Sequence, residues 1–242
     1  MSPDIVNDLA PTGVLRAAIN MSNFLLVTGR TEDGDPDGVS PDMAREVARR
    51  LGVEVTLLQY KTPGEVADAA GTGQWDIGNI GAEPQRAEKI DFTAAYCEIQ
   101  ATFMVPAGSP LQTVEQVDSP GVRIAVSARS AYDLWLERNI KQAELVRAEG
   151  LDASFELFVA GKLDALAGLR PRLITDVEKL PGARILDGQF SAVQQAIGIT
   201  RGKDAGAAYL KDFVEEVKAS GFVAHLIEKH GVVGRLSVAP PA

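Results

Sequence analysis

The chain has 242 residues, with 33 acidic side chains against 24 basic ones and a formal charge of −9. Apolar residues make up 45% and charged residues 24%, a globular balance that excludes wholesale disorder. The acidic surface argues against nucleic acid and anionic lipid, and apolar runs such as Phe24 to Val27 fall far short of the ~20 residues that span a bilayer.

Val14 to Ile19 reads as a strand. Ser40-Pro41 is expected to start a helix, with Ser40 as N-cap and Pro41 in the first turn. Met43, Ala44, Val47, Ala48 and Leu51 share one face of it, and Gly52 stops it. Val53 to Leu58 is a strand. Thr62-Pro63-Gly64-Glu65 is a capping box for a helix expected to end near Gly71 to Gly73. Trp75 to Ile80 is a strand and Pro84 to Lys89 a short helix. This β-α-β-α-β order implies a mainly parallel sheet with helices on both faces.

The rhythm restarts after Pro106-Ala107-Gly108-Ser109-Pro110. Strands are expected at 122–126, 145–146, 163–167 and 184–186, and helices at 130–140, 154–159 and 171–180. Val193 to Thr200 is a further extended run. Helices at about 205–220 and 222–230, separated by Gly221, close the chain. These elements read as two α/β lobes: residues 1–104 plus 196–242, and residues 108–192. The crossings are expected at about 105–107 and 193–195.

Asp33, Asp35 and Asp37 imitate the start of a calcium loop, but the twelfth position, where a bidentate Glu belongs, is Ala44. His225 and His230 lack the three- or four-residue spacing of two ligands on one helix face. No metal and no cofactor are expected. No glycine-rich nucleotide loop or nucleophile elbow is present in the sequence. The single cysteine, Cys97, allows no internal disulfide and reads as a small buried apolar residue.

Gly78-Asn79-Ile80-Gly81-Ala82-Glu83-Pro84-Gln85-Arg86 is more informative. It runs from a strand end through small residues into a helix start, where exposed N–H groups favour an anion. Arg86 could clamp a carboxylate there. Ser127-Ala128-Arg129-Ser130-Ala131 offers a second such turn. The bland alternative is a surface arginine on a solvated helix.

At these positions the sequence resembles the family 3 solute-binding proteins of polar amino-acid ABC importers. The resemblance is carried by Gly38-Val39-Ser40-Pro41-Asp42-Met43-Ala44, Gly73-Gln74-Trp75-Asp76-Ile77, Pro84 to Thr93, Val122 to Ser130 and Gly161-Lys162-Leu163-Asp164-Ala165. It spans about residues 13–232. It implies a two-lobed periplasmic-binding-protein-like α/β fold of type II, with two crossover strands, closing on a small ligand by hinge motion. By the same resemblance Arg86 grips a ligand carboxylate with help from the Gly81 backbone; Asn79, in the same segment, is a further candidate contact. Arg129 and Ser130 form the second-lobe contact, and Asn20 and Asn23 are pocket positions. The Asp that pairs with an amino-acid ammonium in such proteins is replaced by Leu169, followed by Arg170-Pro171-Arg172. An organic acid or di-anion is therefore expected to suit the pocket better than a free α-amino acid, unless Glu83 or Glu98 supplies the missing charge.

The expectation is a monomeric, non-catalytic binder of a small anionic ligand that serves an ABC permease. A dehydratase of the cyclohexadienyl type on the same fold is the first alternative; its acid position holds Arg172, which cannot donate a proton at neutral pH. A cytosolic small-molecule sensor is the second. The start Met1-Ser2-Pro3-Asp4-Ile5 does not read as a signal peptide. A native start at Met1 implies the cytoplasm, and a removed leader implies the periplasm.

Overall fold

The first strand sets the frame: β1 (Val14–Asn20) has Ala17, Ala18 and Ile19 fully buried, so both of its faces are covered. The computed structural model describes residues 2–242. It divides into two units, the residues up to Glu98 with Gln194–Ala242, and Ile99–Val193.

Ahead of β1 lies α1 (Pro3–Leu9), a helix that the sequence analysis does not assign. Its signals are conventional: the Ser2 hydroxyl accepts the Asp4 N–H, Pro3 takes the first position, and Leu9 is fully buried. The short strands β2 (Gly29–Arg30) and β3 (Pro36–Asp37) pair antiparallel, so Asp33 and Asp35 are exposed turn residues. Helix α2 (Val39–Leu51) corrects one expectation. Its N-cap is Gly38, not Ser40, which is buried inside the first turn. Gly38 has φ +150°, and a Cβ there would lie 2.2 Å from the Leu26 carbonyl oxygen, so only glycine fits. Gly52 ends the helix in the left-handed conformation, as expected.

Strand β4 (Glu54–Tyr60) and helix α3 (Pro63–Asp68) follow. Thr62 Oγ1 accepts the Glu65 N–H at 3.2 Å, while the Glu65 carboxylate accepts the amide of Lys61 rather than that of Thr62. After β5 (Ile77–Gly81) the helix expected over 84–89 shrinks to a single 3₁₀ turn, Arg86–Glu88. Then come β6 (Ile90–Phe92) and β7 (Cys97–Val105), within which the chain enters the second unit. The Pro/Gly stretch at 106–110 lies inside that unit.

The second unit continues with α4 (Val114–Val117), β8 (Arg123–Ser127), α5 (Ala131–Asn139), β9 (Glu144–Ala148), α6 (Leu151–Ala160), β10 (Ala165–Leu169), α7 (Arg170–Val177) and β11 (Arg184–Ile185). Strand β12 (Ser191–Thr200) returns the chain to the first unit. There α8 (Asp204–Ala219), α9 (Phe222–Lys229) and β13 (Ser237–Val238) complete it, with Gly221 breaking the helices apart at φ +81°.

In the first unit β4, β1 and β5 are parallel, but β12 runs antiparallel to β5, and β6 antiparallel to β12. In the second, β9, β8 and β10 are parallel while β7 runs antiparallel to β10. The strand pairing in each unit is therefore mixed rather than mainly parallel, because β12 and β7 run opposite to the parallel strands they join. Gly78 meets Val66 and Trp75, and Ile80 joins that cluster, so this face of β5 packs on apolar residues near α3. By alternation Asn79 points to the other face, in register with Ile19 and Ile197. Among the described residues no helix is long and apolar enough to cross a membrane.

Candidate functional site

The first unit gathers the expected residues around the C-terminal end of β5. Arg86 is 5% exposed, and its Nη1 donates to the Gly81 carbonyl at 2.8 Å. The main chain thus sets the guanidinium's direction: Gly81 ends the strand, and its carbonyl anchors the arginine five residues on. The Arg86 N–H donates to the Glu83 carbonyl at 3.0 Å, closing the turn. A three-residue 3₁₀ turn has no macrodipole to hold an anion. The expected helix N-terminus is therefore absent, and positive charge at this place comes from the Arg86 side chain.

Asn79 is 2% exposed, and neither its Oδ1 nor its Nδ2 has a hydrogen-bond partner. A buried amide left unpaired is costly, and no group of the chain relieves that cost at Asn79. Asn20 and Asn23 shape the loop after β1. Asn20 Oδ1 accepts from the Ser22 N–H at 3.1 Å and its hydroxyl at 2.7 Å, and Asn23 Oδ1 from the amides of Leu25 and Leu26. Their carbonyl ends are committed to these turns. Glu98, on β7, accepts from Gln194 Nε2 at 3.0 Å. Glu83 and Gln195 are buried polar residues, Gln195 in register with Gly81.

The second unit places Arg129 and Ser130 at the start of α5. Arg129 takes the left-handed conformation, φ 60°, unusual for a side chain with a Cβ. Its N–H donates to Asp133 Oδ2 at 2.7 Å, the Ser130 hydroxyl accepts the Asp133 N–H at 3.1 Å, and that hydroxyl donates to the Ser127 carbonyl at 2.8 Å. Asp133, 1% exposed, also accepts from Arg147 Nε. The chain's own carboxylate thus takes one of the N–H groups of the turn that the sequence offers to a ligand, that of Arg129. Asp133, three residues after Ser130, is the N-terminal capping signal in this stretch of sequence. Tyr132, like Asp133, is not among the expected site residues. Burial pushes its phenol up to about 12, with the Ser130 and Ser127 hydroxyls opposing, so it is a neutral hydrogen-bonding group at pH 7.

Leu169 ends β10 against Ala101 and is buried. Arg170 donates to Gln100 Oε1 at 2.8 Å and to the Gly188 carbonyl. Arg172 is not an available cation: it is paired with Asp152 at 2.6 Å and Asp176 at 3.0 Å. The charge count that disfavoured a zwitterion loses one of its cations here, because both carboxylates reach Arg172 from its own unit.

One cluster is not visible in helix spacing. Atoms of Asp37, Asp42 and His230 lie within 4.8 Å of one another. Asp42 also accepts from Arg45 at 2.9 Å and Lys229 at 2.7 Å. Burial raises the Asp42 pKa, but the hydrogen bonds from Lys229, His230 and Arg45 outweigh it and hold the carboxyl below its usual range. With two fixed cations on it, the cluster is an ion-pair tie between α2 and α9. Cys97 is fully buried, and burial pushes its thiol up, so it is inert packing.

The sequence model for bacterial extracellular solute-binding proteins, family 3, matches residues 18–233. The chain is 22% identical over 201 residues to the L-cystine-binding protein TcyJ of Escherichia coli (strain K12), covering 82% of this chain and 75% of that one. It is 27% identical over 159 residues to the cyclohexadienyl dehydratase of Pseudomonas aeruginosa, covering 64% of this chain and 59% of the dehydratase. Among solved structures, the ancestral amino acid-binding protein AncCDT-1, a precursor of cyclohexadienyl dehydratase, superposes with a TM-score of 0.73 at 20% identity, covering 93% of this chain and 97% of that one. The two-lobed periplasmic-binding-protein-like α/β fold is thereby established.

Proposed function

We propose, for a chain that belongs to the bacterial extracellular solute-binding proteins of family 3, that it captures a small carboxylate-bearing molecule on behalf of an ABC permease and does so as a monomer. The observation that carries this reading is Arg86, a buried guanidinium aimed by the Gly81 carbonyl at the end of β5. A planar fork held in place by main chain suits bidentate recognition of a carboxylate. The Asn79 amide, on the same strand β5, is proposed to add one donor and one acceptor edge. Arg129 and Ser130 of the second unit are proposed as further ligand contacts, with Arg170 and Leu169 at the end of β10.

Relatives named for cystine and for amino acids favour an α-amino acid, and the pairing of Arg172 with Asp152 and Asp176 removes part of the argument against one. Leu169 still leaves the usual ammonium position apolar, so Glu83 or Glu98 would have to serve an amino acid. An organic acid needs neither. The lyase alternative is disfavoured, because Arg172 occupies the acid position and is tied to two carboxylates.

The test is calorimetry with a panel of amino acids, mono- and dicarboxylates, guided by mass spectrometry of small molecules that co-purify. Arg86→Ala should cost about 2–5 kcal/mol of binding, as for a buried charge pair that loses one partner. Unchanged affinity sinks the assignment of Arg86. A best ligand without a carboxylate sinks the reading itself.

A further inference from the structure

We propose that the second unit carries a separate binding pocket for a small organic ammonium with an aromatic or branched apolar body. The pocket is an open cleft of about 350 Å³ lined by residues of that unit, within the roughly 300–1,000 Å³ of small-molecule sites. Phe103 on β7, Trp135 and Ile140 of the α5 region, and Phe190 are among the residues that line it. Phe190 stands 4.5 Å from the Phe103 ring centroid and 5.4 Å from that of Trp135, both tilted by about 35°. Three aromatic rings thus line one cavity, and the faces of such rings are electron-rich and attract cations.

Charge points the same way. Two carboxylates line the cavity, Glu115 and Asp118, and none of the described residues lining it is basic. The amides of Lys141, Gln142 and Ala143 hold the Asp118 carboxylate in place. Glu115 is exposed at the rim, and its own N–H and the Thr113 hydroxyl lower its pKa, which keeps it ionised. An anion would meet repulsion at both acids, whereas a cation would meet the exposed Glu115 carboxylate at the rim.

The pocket is distinct from the Arg129–Ser130 turn. Trp135 and Ile140 lie about 8 and 15 Å further along α5 at ~1.5 Å per residue. It is also independent of Arg86, which belongs to the other unit.

The chain has two tryptophans, so ¹H–¹⁵N spectra report the site through two indole N–H signals. Trp75 is buried in the first unit with its indole N–H on the Val66 carbonyl and serves as the control; Trp135→Phe assigns the other signal. Phenethylammonium should shift the Trp135 signal saturably and leave Trp75 still. The matched anion, 3-phenylpropionate, should bind roughly five- to ten-fold more weakly, and Glu115→Gln should weaken phenethylammonium roughly two- to five-fold. Arg86→Ala should change nothing at this site. No saturable shift at Trp135, equal binding of the two probes, indifference to Glu115→Gln, or loss of the effect in Arg86→Ala would each overturn the proposal.

Discussion

Replacing Asn79 with leucine should stabilise the ligand-free protein while abolishing capture of its ligand. Asn79 is 2% exposed in the middle of β5, and both amide atoms lack partners. Each unpaired buried polar group costs about 1–3 kcal/mol. Leucine keeps the branch at Cγ, removes both penalties and adds apolar burial beside Ile19 and Ile197. Its larger volume gives back about 1–3 kcal/mol if the site cannot relax. The net expectation is a gain of about 1–3 kcal/mol, a rise in Tm of roughly 2–12 °C for a domain of this size. Urea titration and differential scanning fluorimetry read the stability, and calorimetry with the ligand reads the binding. Asn79→Ala, which removes the amide without adding bulk, controls for overpacking. If both variants lower Tm, the amide is already satisfied in the free protein, and the reasoning fails. If stability rises and binding persists, Asn79 is no ligand contact.

Gly38→Ala should destabilise by more than about 2 kcal/mol, because its Cβ would collide with the Leu26 carbonyl at a φ that L-residues avoid; a Tm within one degree of wild type refutes this. Asp176→Ala should cost about 3 kcal/mol by leaving Arg172 without its buried partner, and urea midpoints at constant m-value measure it. Glu46 is held at about 2 by Arg49, against its burial and with Arg50 assisting. Its folded pKa lies below the unfolded one, so its contribution is complete above the usual glutamate pKa of about 4.3 and fades as pH falls toward about 2. Glu46→Gln should therefore lower Tm at pH 7 and match wild type near pH 2; a deficit independent of pH would show that packing, not charge, is involved. The depressed Asp42 carboxyl acts in the same direction, so Asp42→Asn should flatten the acid limb of the stability profile.

Local chemistry makes much of this protein readable from its residues. Gly52 stops α2 and Gly221 separates α8 from α9 because each position needs the left-handed conformation. Thr62 caps α3 and Ser130 caps α5 with their hydroxyls. The order of short motifs from Gly38 to Ala165 carries the resemblance to the family, and they fall at the starts and ends of strands and helices. Arg86 could be singled out for the same reason.

The rest depends on residues far apart in the chain. Lys229 and His230 meet Asp42 across 187 and 188 positions. Arg172 finds Asp152 20 residues away, which cancels a charge that counting along the sequence leaves free. No periodicity foretells that β12 joins β5 antiparallel, or that Asn79 is thereby enclosed with its amide unpaired. The five residues from Pro84 to Glu88 yield one 3₁₀ turn because β6 begins at Ile90, pinned to Thr200 of β12, and leaves the chain no room for a longer helix. Propensity acts over one or two turns; pairing, burial and electrostatic compensation act over distances that only the packed chain defines.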